Sequence, residues 1–214
     1  MPTPKAGYHL ADGTRVPSVT TVIGRFKDAG GLIHWAWDLG KQGKDYREER
    51  DKAADAGTLA HAAVEAWIHK QPYEFEGDPE VCGKARKAFD AFLKWAEQSQ
   101  LKITHTEVGL VSEKHRFGGT LDAMTISGKR ALMDWKSSNR TYGEYLIQVR
   151  AYGELWNEHF PDDPVTGGYD LVRFDKTYGD FHHHHWDELD SAWAAFLHLR
   201  HLYDLEKELK ARAA

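Results

Sequence analysis

Cysteine is almost absent from this chain of 214 residues, in which Cys82 is the one example. A disulfide framework within the chain is therefore excluded, as are a four-thiolate zinc site and a four-cysteine iron–sulfur cluster. Long apolar runs are also missing, because no stretch approaches the roughly 18 apolar residues of a membrane span. The N-terminal MPTPKAGYHL lacks the apolar centre of a secretory signal. We expect an intracellular, cytoplasmic protein without a membrane partner.

An excess of positive charge is missing too. The chain has 28 Lys and Arg against 33 Asp and Glu, which gives a formal net charge of −5. The protein as a whole therefore has no electrostatic attraction to nucleic acid, and any such binding requires a local cationic patch. Apolar residues at 41% and charged residues at 29% are typical of a folded globular protein and exclude a mainly disordered or fibrous one.

Changes of periodicity predict one domain over residues 1–214. A helical segment covers about 18–100, a strand meander about 101–136, and a helix–hairpin–helix segment about 141–212. Asp78-Pro79 is typical of a helix start, with Asp as the N-cap and Pro at the first helical position. Helices on both sides of a run of strands predict the α/β (α+β) class, with a mixed central β-sheet flanked by helices.

The strands around Asp122 and Asp134 carry the strongest chemical signal. Side chains alternate along a strand, so Asp134 and Lys136 share a face and Trp135 points to the other. A three-residue connection, Ser127-Gly128-Lys129, would place Asp122 opposite Asp134. Adjacent carboxylates repel unless a proton or cation lies between them, and Mg²⁺ suits such oxygen ligands. A surface ion pair between Asp134 and Lys136 is the competing interpretation.

Two further pairs have the i, i+4 spacing of a shared helix face. His61 and Glu65 follow the segment Gly57–Ala60, and Gln148 and Tyr152 follow the strand pair. Each pair also fits an ordinary amphipathic helix that packs on the sheet. Gly57, within the predicted helix over about 44–70, indicates close approach of another backbone.

Four motifs therefore occur in order: G-x-x-x-H at 57–61, G-G-T-x-D at 118–122, D-W-K at 134–136 and Q-x-x-x-Y at 148–152. This order resembles the RecB-type branch of the PD-(D/E)XK nuclease superfamily, and is similar to phage-encoded exonucleases and the mitochondrial genome maintenance exonuclease. The resemblance covers about residues 17–155. It implies a restriction-endonuclease-like core and a deoxyribonuclease that uses Mg²⁺ or Mn²⁺ and has no iron–sulfur cluster.

The resemblance also implies a role for each site residue. His61, Asp122, Asp134 and the backbone carbonyl of Trp135 are the implied metal ligands. Lys136 is implied to orient or activate the attacking water and to steady charge on the phosphate, so that Asp122, Asp134 and Lys136 form the catalytic set. Four further residues are implied or suspected to support the site: Glu65, Glu113, Gln148 and Tyr152.

DNA binding by an acidic chain requires a local groove near these motifs. Ser18 and Thr20 are candidate donors to phosphates. The candidate cations near the motifs or the N-terminal segment are Arg116, Arg140, Arg150, Arg25 and Lys27. Scattered surface cations, with no common role, are the competing interpretation for each of them.

The run His182–His185 lies within the chain, next to a Gly-Asp turn. Alternation on a strand would send His182 and His184 to one face and His183 and His185 to the other. We interpret the run as one strand of a hairpin, with incidental nickel or zinc binding as a side effect.

Together these features predict a metal-dependent hydrolase, an exonuclease rather than an endonuclease, that acts on DNA ends or single strands. A bacterial or bacteriophage setting in DNA recombination, repair or replication is expected, with a recombination or single-strand-binding protein as a partner. No G-x-x-x-x-G-K-[ST] motor loop is present. The alternative is a non-catalytic nucleic-acid-binding or assembly protein that retains the nuclease fold.

Overall fold

The computed structural model describes residues 7–24, 30–175 and 178–213, so that the candidate cations Arg25 and Lys27 lie outside the described residues. Its elements are, in order, β1 (Tyr8–His9), β2 (Arg15–Val16), α1 (Val19–Ile23), α2 (Gly30–Lys41), α3 (Tyr46–Ile68), α4 (Pro79–Gln98), β3 (Ile103–Ser112), β4 (Phe117–Ser127), β5 (Lys129–Ser137), α5 (Gly143–His159), β6 (Tyr169–Phe174), β7 (Phe181–Trp186) and α6 (Asp190–Ala213). In the described part of the chain, no helix has the length and apolar character needed to cross a membrane.

Five strands form the central sheet in the order β3-β4-β5-β6-β7. The pairs β3–β4, β4–β5 and β6–β7 are antiparallel, whereas β5 and β6 are parallel and are connected through α5. A parallel pair needs such a crossover, because a tight turn joins only antiparallel strands. The predicted α/β class, with a mixed sheet flanked by helices as in a restriction-endonuclease-like core, is confirmed.

Helices cover both faces of this sheet. On one face α1, α5 and α6 bury a cluster whose fully enclosed members include Val19, Val22, Leu121, Leu132, Leu155, Trp156 and Phe196. On the other face α3 and α4 bury a second cluster that includes Ala60, Val64, Phe92, Met133, Trp135 and Val172. Leu132 and Met133 are neighbours in β5 but belong to opposite clusters, as the strand period of two requires.

The register of β4 and β5 agrees with the predicted one. Ile126 pairs with Arg130 and Ser127 with Lys129, around Gly128 at φ +78°. Glycine adopts this left-handed conformation without steric cost, which suits it to the tight connection. The ladder continues to Ala123 opposite Met133, and the next position along each strand is an aspartate.

Beyond Ala123 and Met133 the two strands separate. The first part of β4, from Phe117 to Leu121, pairs with β3, and the last part of β5, from Asp134 to Ser137, pairs with β6. The β4–β5 ladder does not extend into either part. A crevice therefore opens between the strands at the point where Asp122 and Asp134 face each other.

Strand β7 shows the alternation predicted for the histidine run. The rings of His183 and His185 each lie 2.8 Å from the same carboxylate oxygen of Asp170. His182 and His184 stack on each other with ring centres 6.5 Å apart. The run is therefore one strand of the β6–β7 hairpin, as expected.

Gly57 marks a close contact between α3 and β5. A Cβ at this position would overlap the side chain of Ser137, while Gly83 of α4 has open space around it. A close approach at Gly57 is therefore present, but the nearest atoms belong to the Ser137 side chain, whereas the sequence predicts a backbone there. The contact fixes α3 against the end of β5 next to Lys136.

We expect Gly57→Ala to lower the free energy of unfolding by roughly 1–3 kcal/mol, because the added methyl overpacks the contact with Ser137. The matched change Gly83→Ala, at an exposed helical position, should raise it by about 0.5–1 kcal/mol. Urea denaturation of both variants measures the difference. The double variant Gly57→Ala with Ser137→Gly should recover stability, and a Gly57→Ala protein as stable as the parent would contradict the contact.

Candidate active site

A cavity of about 330 Å³ occupies the crevice between β4 and β5. Its walls come from the N-terminal hairpin, α1, α3, the two strands and α5. Of the residues predicted from the sequence, those that line it are Ser18, Thr20, His61, Asp122, Trp135, Lys136, Gln148 and Tyr152. Gly119 and Thr120 of the G-G-T-x-D motif also line it, as do Tyr8 and Tyr145, which the sequence did not single out. Residues from Tyr8 to Tyr152, far apart in the chain, thus meet at one place.

Asp134 lies directly behind this cavity and is fully buried. Its Oδ2 atom lies 2.5 Å from Nζ of Lys136, whose side chain is 16% exposed. Apart from that ion pair, neither carboxylate oxygen has a hydrogen-bond partner among the described residues. Burial raises the pKa of Asp134 well above its usual range; Lys136 opposes this effect, while Asp122 adds to it. The carboxylate is therefore poorly compensated.

Asp122 is held at the point where the strands separate. The backbone N–H of Trp135 donates a hydrogen bond of 2.9 Å to Asp122 Oδ2. This bond places the carboxylate beside Asp134 after the regular ladder has ended. Its position reflects the register of the β4–β5 hairpin, because the two aspartates occupy facing positions.

Lys136 provides the cation of the site. Burial tends to lower its pKa, but Asp134 and Asp122 hold that pKa above its usual value. The side chain therefore stays an ammonium, which carries three hydrogen-bond donors. Its Nζ also lies 5.4 Å from the ring centre of Tyr145, on the first turn of α5.

His61 reaches the cavity from α3. Burial lowers the pKa of His61, although the charges of Asp134 and Glu65 act in the opposite direction. A lowered pKa favours the neutral imidazole, which is the form that binds metals. Glu65 is exposed and is not among the lining residues, so the pair predicted on one helix face contributes one residue to the cavity wall.

Tyr152 and Gln148 form the α5 wall. Gln148 Nε2 donates a hydrogen bond of 2.9 Å to the Tyr152 hydroxyl. A Cβ at Gly119 would lie 2.6 Å from the Tyr152 ring, and one at Gly118 would overlap the ring of Tyr8. The paired glycines of the G-G-T-x-D motif are therefore required by two tyrosines that pack against the start of β4.

The N-terminal segment closes the remaining side. Ser18 caps α1, because its Oγ accepts the N–H of Thr21 at 3.0 Å, and it also contacts the hydroxyl of Thr20 at 2.9 Å. The hydroxyls of Tyr8 and Thr120 share a hydrogen bond of 2.9 Å. Ser18 and Thr20 thus line the cavity, where the Ser18 hydroxyl already accepts a hydrogen bond from the start of α1.

Other predicted residues are not brought into the cavity lining. Glu113 follows β3 and accepts the N–H of Ala11 at 2.7 Å, which fixes the N-terminal hairpin. Arg116 lies in the exposed turn before β4, and Arg150 pairs with Glu154 at 3.0 Å. Arg140 lies just beyond the cavity, with its guanidinium 4.8 Å from the ring centre of Tyr142.

Glu107 is an acidic residue near the site that the sequence did not reveal. It faces Asp122 between the pairs Thr106–Ala123 and Val108–Leu121, and its φ is +57°. Burial, with the charges of Asp122 and Glu65, raises the pKa of Glu107 to about 7. Nothing local distinguishes this residue, because its conformation and neighbours depend on the pairing of β3 with β4.

The donor set suits a hard divalent cation. In the ranges that the structure describes, no three His, Cys, Asp or Glu side chains lie close enough together to hold a metal by themselves. Mg²⁺ is commonly bound through one or two carboxylates, with water and substrate phosphate completing its shell. Asp122 and the buried, poorly compensated carboxylate of Asp134 fit that mode, whereas the described residues form no closed protein cage.

No protein-family model and no curated protein matches the chain. Solved structures do match it. They include a candidate exonuclease from Eubacterium rectale, which is 14% identical over 86% of this chain and 69% of that one, with a TM-score of 0.44. They also include the alkaline exonuclease of Laribacter hongkongensis, 15% identical over 76% of this chain and 92% of that one, with a TM-score of 0.36. That enzyme has also been solved with dAMP. In one further match the chain spans 57% of the other protein.

We expect Glu107→Gly to leave the free energy of unfolding unchanged or to raise it slightly. Glycine removes the roughly 1–2 kcal/mol of steric cost that a left-handed residue carries, which offsets its greater freedom in the unfolded chain. The matched change Thr106→Gly, at a regular strand position, should lower stability by roughly 0.5–1 kcal/mol. Urea denaturation in EDTA measures both variants. Equal losses in the two would contradict the strained conformation of Glu107.

Proposed function

We propose that this protein is a divalent-metal-dependent deoxyribonuclease, and that it acts as an exonuclease on DNA ends. The observation that carries the proposal is the fully buried Asp134 carboxylate, which faces Asp122 at a cavity and forms an ion pair with Lys136. A buried, poorly compensated carboxylate destabilises a fold unless a cation completes it. Such strain is typical of sites kept for function.

The proposed metal would be held by Asp122 and Asp134, with the Trp135 carbonyl and His61 as further ligands. When bound, a divalent cation supplies positive charge that offsets the charge of a phosphodiester. Lys136 would donate hydrogen bonds to a phosphate oxygen or to the attacking water, since its ammonium stands beside both carboxylates. Gln148 and Tyr152 would position this group from the α5 side of the cavity.

The setting of the reaction is part of the proposal. One nuclease domain over residues 1–214 would process ends in recombination, repair or replication, with a recombination or single-strand-binding protein as a partner. End dependence is tested with linear and covalently closed circular DNA in Mg²⁺ or Mn²⁺. Degradation of linear DNA alone supports an exonuclease, whereas equal cleavage of closed circles would make the protein an endonuclease.

A non-catalytic binding or assembly protein is the alternative. Calorimetric titration with Mg²⁺ or Mn²⁺ separates the two hypotheses, because a nuclease site predicts saturable binding that Asp134→Asn abolishes. Titration of Lys129→Ala, which changes an exposed lysine at the far end of β5, serves as the control. A protein that binds DNA but neither cation would favour the alternative.

We expect Lys136→Ala to reduce the rate of DNA cleavage by at least about 10²-fold, the usual scale for the loss of one electrostatic or acid–base group. DNA affinity in Ca²⁺ should change little, because Lys136 is proposed to act on the reacting phosphate and water. Lys129→Ala should cleave at the parent rate. Labelled oligonucleotides on a gel measure all three proteins, and parent-like cleavage by Lys136→Ala would contradict the mechanism.

We expect His61→Ala to weaken Mn²⁺ binding while it leaves the unfolding transition in EDTA nearly unchanged. An imidazole ligand favours Mn²⁺ over Mg²⁺, so the loss should be larger for Mn²⁺. Calorimetry with each cation measures the difference. The exposed residue His69, the C-cap of α3, provides the control change His69→Ala. Unaltered Mn²⁺ affinity in His61→Ala would remove His61 from the ligand set.

A further inference from the structure

A row of aromatic rings and cations leads out of the cavity along the start of α5. Lys136 Nζ lies 5.4 Å from the ring centre of Tyr145, and that ring lies 5.3 Å from the ring of Tyr142. The guanidinium of Arg140 is 4.8 Å from the centre of Tyr142. We call Tyr145, Tyr142 and Arg140 the aromatic track. It begins at a residue that lines the cavity and ends at an exposed cation.

Helix formation does not explain the presence of Tyr142. It occupies the N-cap position of α5, where Ser, Thr, Asp or Asn would satisfy the first N–H groups, and its side chain makes no capping bond. Neither Tyr142 nor Tyr145 belongs to the fully buried core, since both side chains are half-buried. Their rings meet edge to face at 81°, and Tyr145 also packs against the edge of the buried cluster under α5.

The charge of the track also indicates its ligand. The chain carries a net charge of −5, yet the track runs between two cations, Lys136 and Arg140. Beyond Arg140 lies the start of α2, where a Cβ at Gly31 would be 4.0 Å from the guanidinium. Helix α2 repeats the same pairing, with Lys41 Nζ 4.2 Å from the ring centre of Trp37, a side chain that is 56% exposed.

Rings and cations in alternation suit a polyanion whose flat groups are free to stack. Single-stranded DNA has this chemistry, because its bases are unpaired and its backbone is flexible, whereas a duplex buries the faces of its bases. We propose that the aromatic track binds single-stranded DNA next to the cavity, with bases stacked on Tyr145 and Tyr142 and a phosphate at Arg140. This inference rests on the proposed nuclease function and narrows its substrate to a single strand.

Binding of a fluorescein-labelled dT20 strand and of a labelled 20-bp blunt duplex, both in Ca²⁺, tests the track. Tyr142→Leu should weaken single-strand binding at least about fivefold, the lower end of the effect of losing one stacked base. Tyr142→Phe keeps the ring and should bind like the parent. Tyr178→Leu removes a tyrosine that is 69% exposed, beyond β6, and should have no effect.

Two results would contradict the proposal that the aromatic track binds single-stranded DNA. One is single-strand binding by Tyr142→Leu that equals that of Tyr142→Phe, and the other is an equal loss on the duplex. Hydrolysis of bis(p-nitrophenyl) phosphate in Mn²⁺ separates this failure from failure of the proposed function, because so small a diester does not extend to Tyr142. If Tyr142→Leu hydrolyses the diester like the parent and its single-strand binding is unchanged, the proposed track is refuted and the proposed nuclease function is not. Absence of hydrolysis in the parent protein refutes the nuclease.

Discussion

The separation of β4 from β5 is the constraint on which the site depends. Two aspartates that face each other across a closed ladder would meet without space for a counter-charge, and their repulsion would oppose the pairing. The strands part at this position, so that Asp122 is anchored by the Trp135 N–H and Asp134 is left with Lys136. The space that opens is then walled by α3, α5 and the N-terminal hairpin.

Three glycines next to the site are explained by the same constraint. Gly118 and Gly119 lie at the start of β4, in the part that no longer pairs with β5, and two tyrosine rings occupy the space that their side chains would need. Gly57 allows α3 to approach the end of β5, which brings His61 to the cavity. These three glycines are therefore points of close packing around the site.

Local patterns explain which predictions agreed with the structure. The strand period and the short Ser127–Lys129 connection determine the register that places Asp122 opposite Asp134, and Asp78 caps α4 as its residue type indicates. Tertiary contacts decided the rest. Glu107 acquires its left-handed backbone from the β3–β4 pairing, which has no signature in the neighbouring residues. Arg150 differs, because its partner Glu154 lies four residues further along α5, a spacing that the sequence itself shows.

The parallel β5–β6 pair has a consequence for the order of assembly. Leu132 pairs with Tyr169, so this ladder joins positions 37 residues apart, whereas the β4–β5 hairpin closes around Gly128. Local contacts form faster than distant ones, since less chain entropy is lost on closure. During synthesis we therefore expect Asp134 to remain on a water-exposed sheet edge until Phe174 has left the ribosome. The buried carboxylate is thus a late product of folding, which an incomplete chain does not possess.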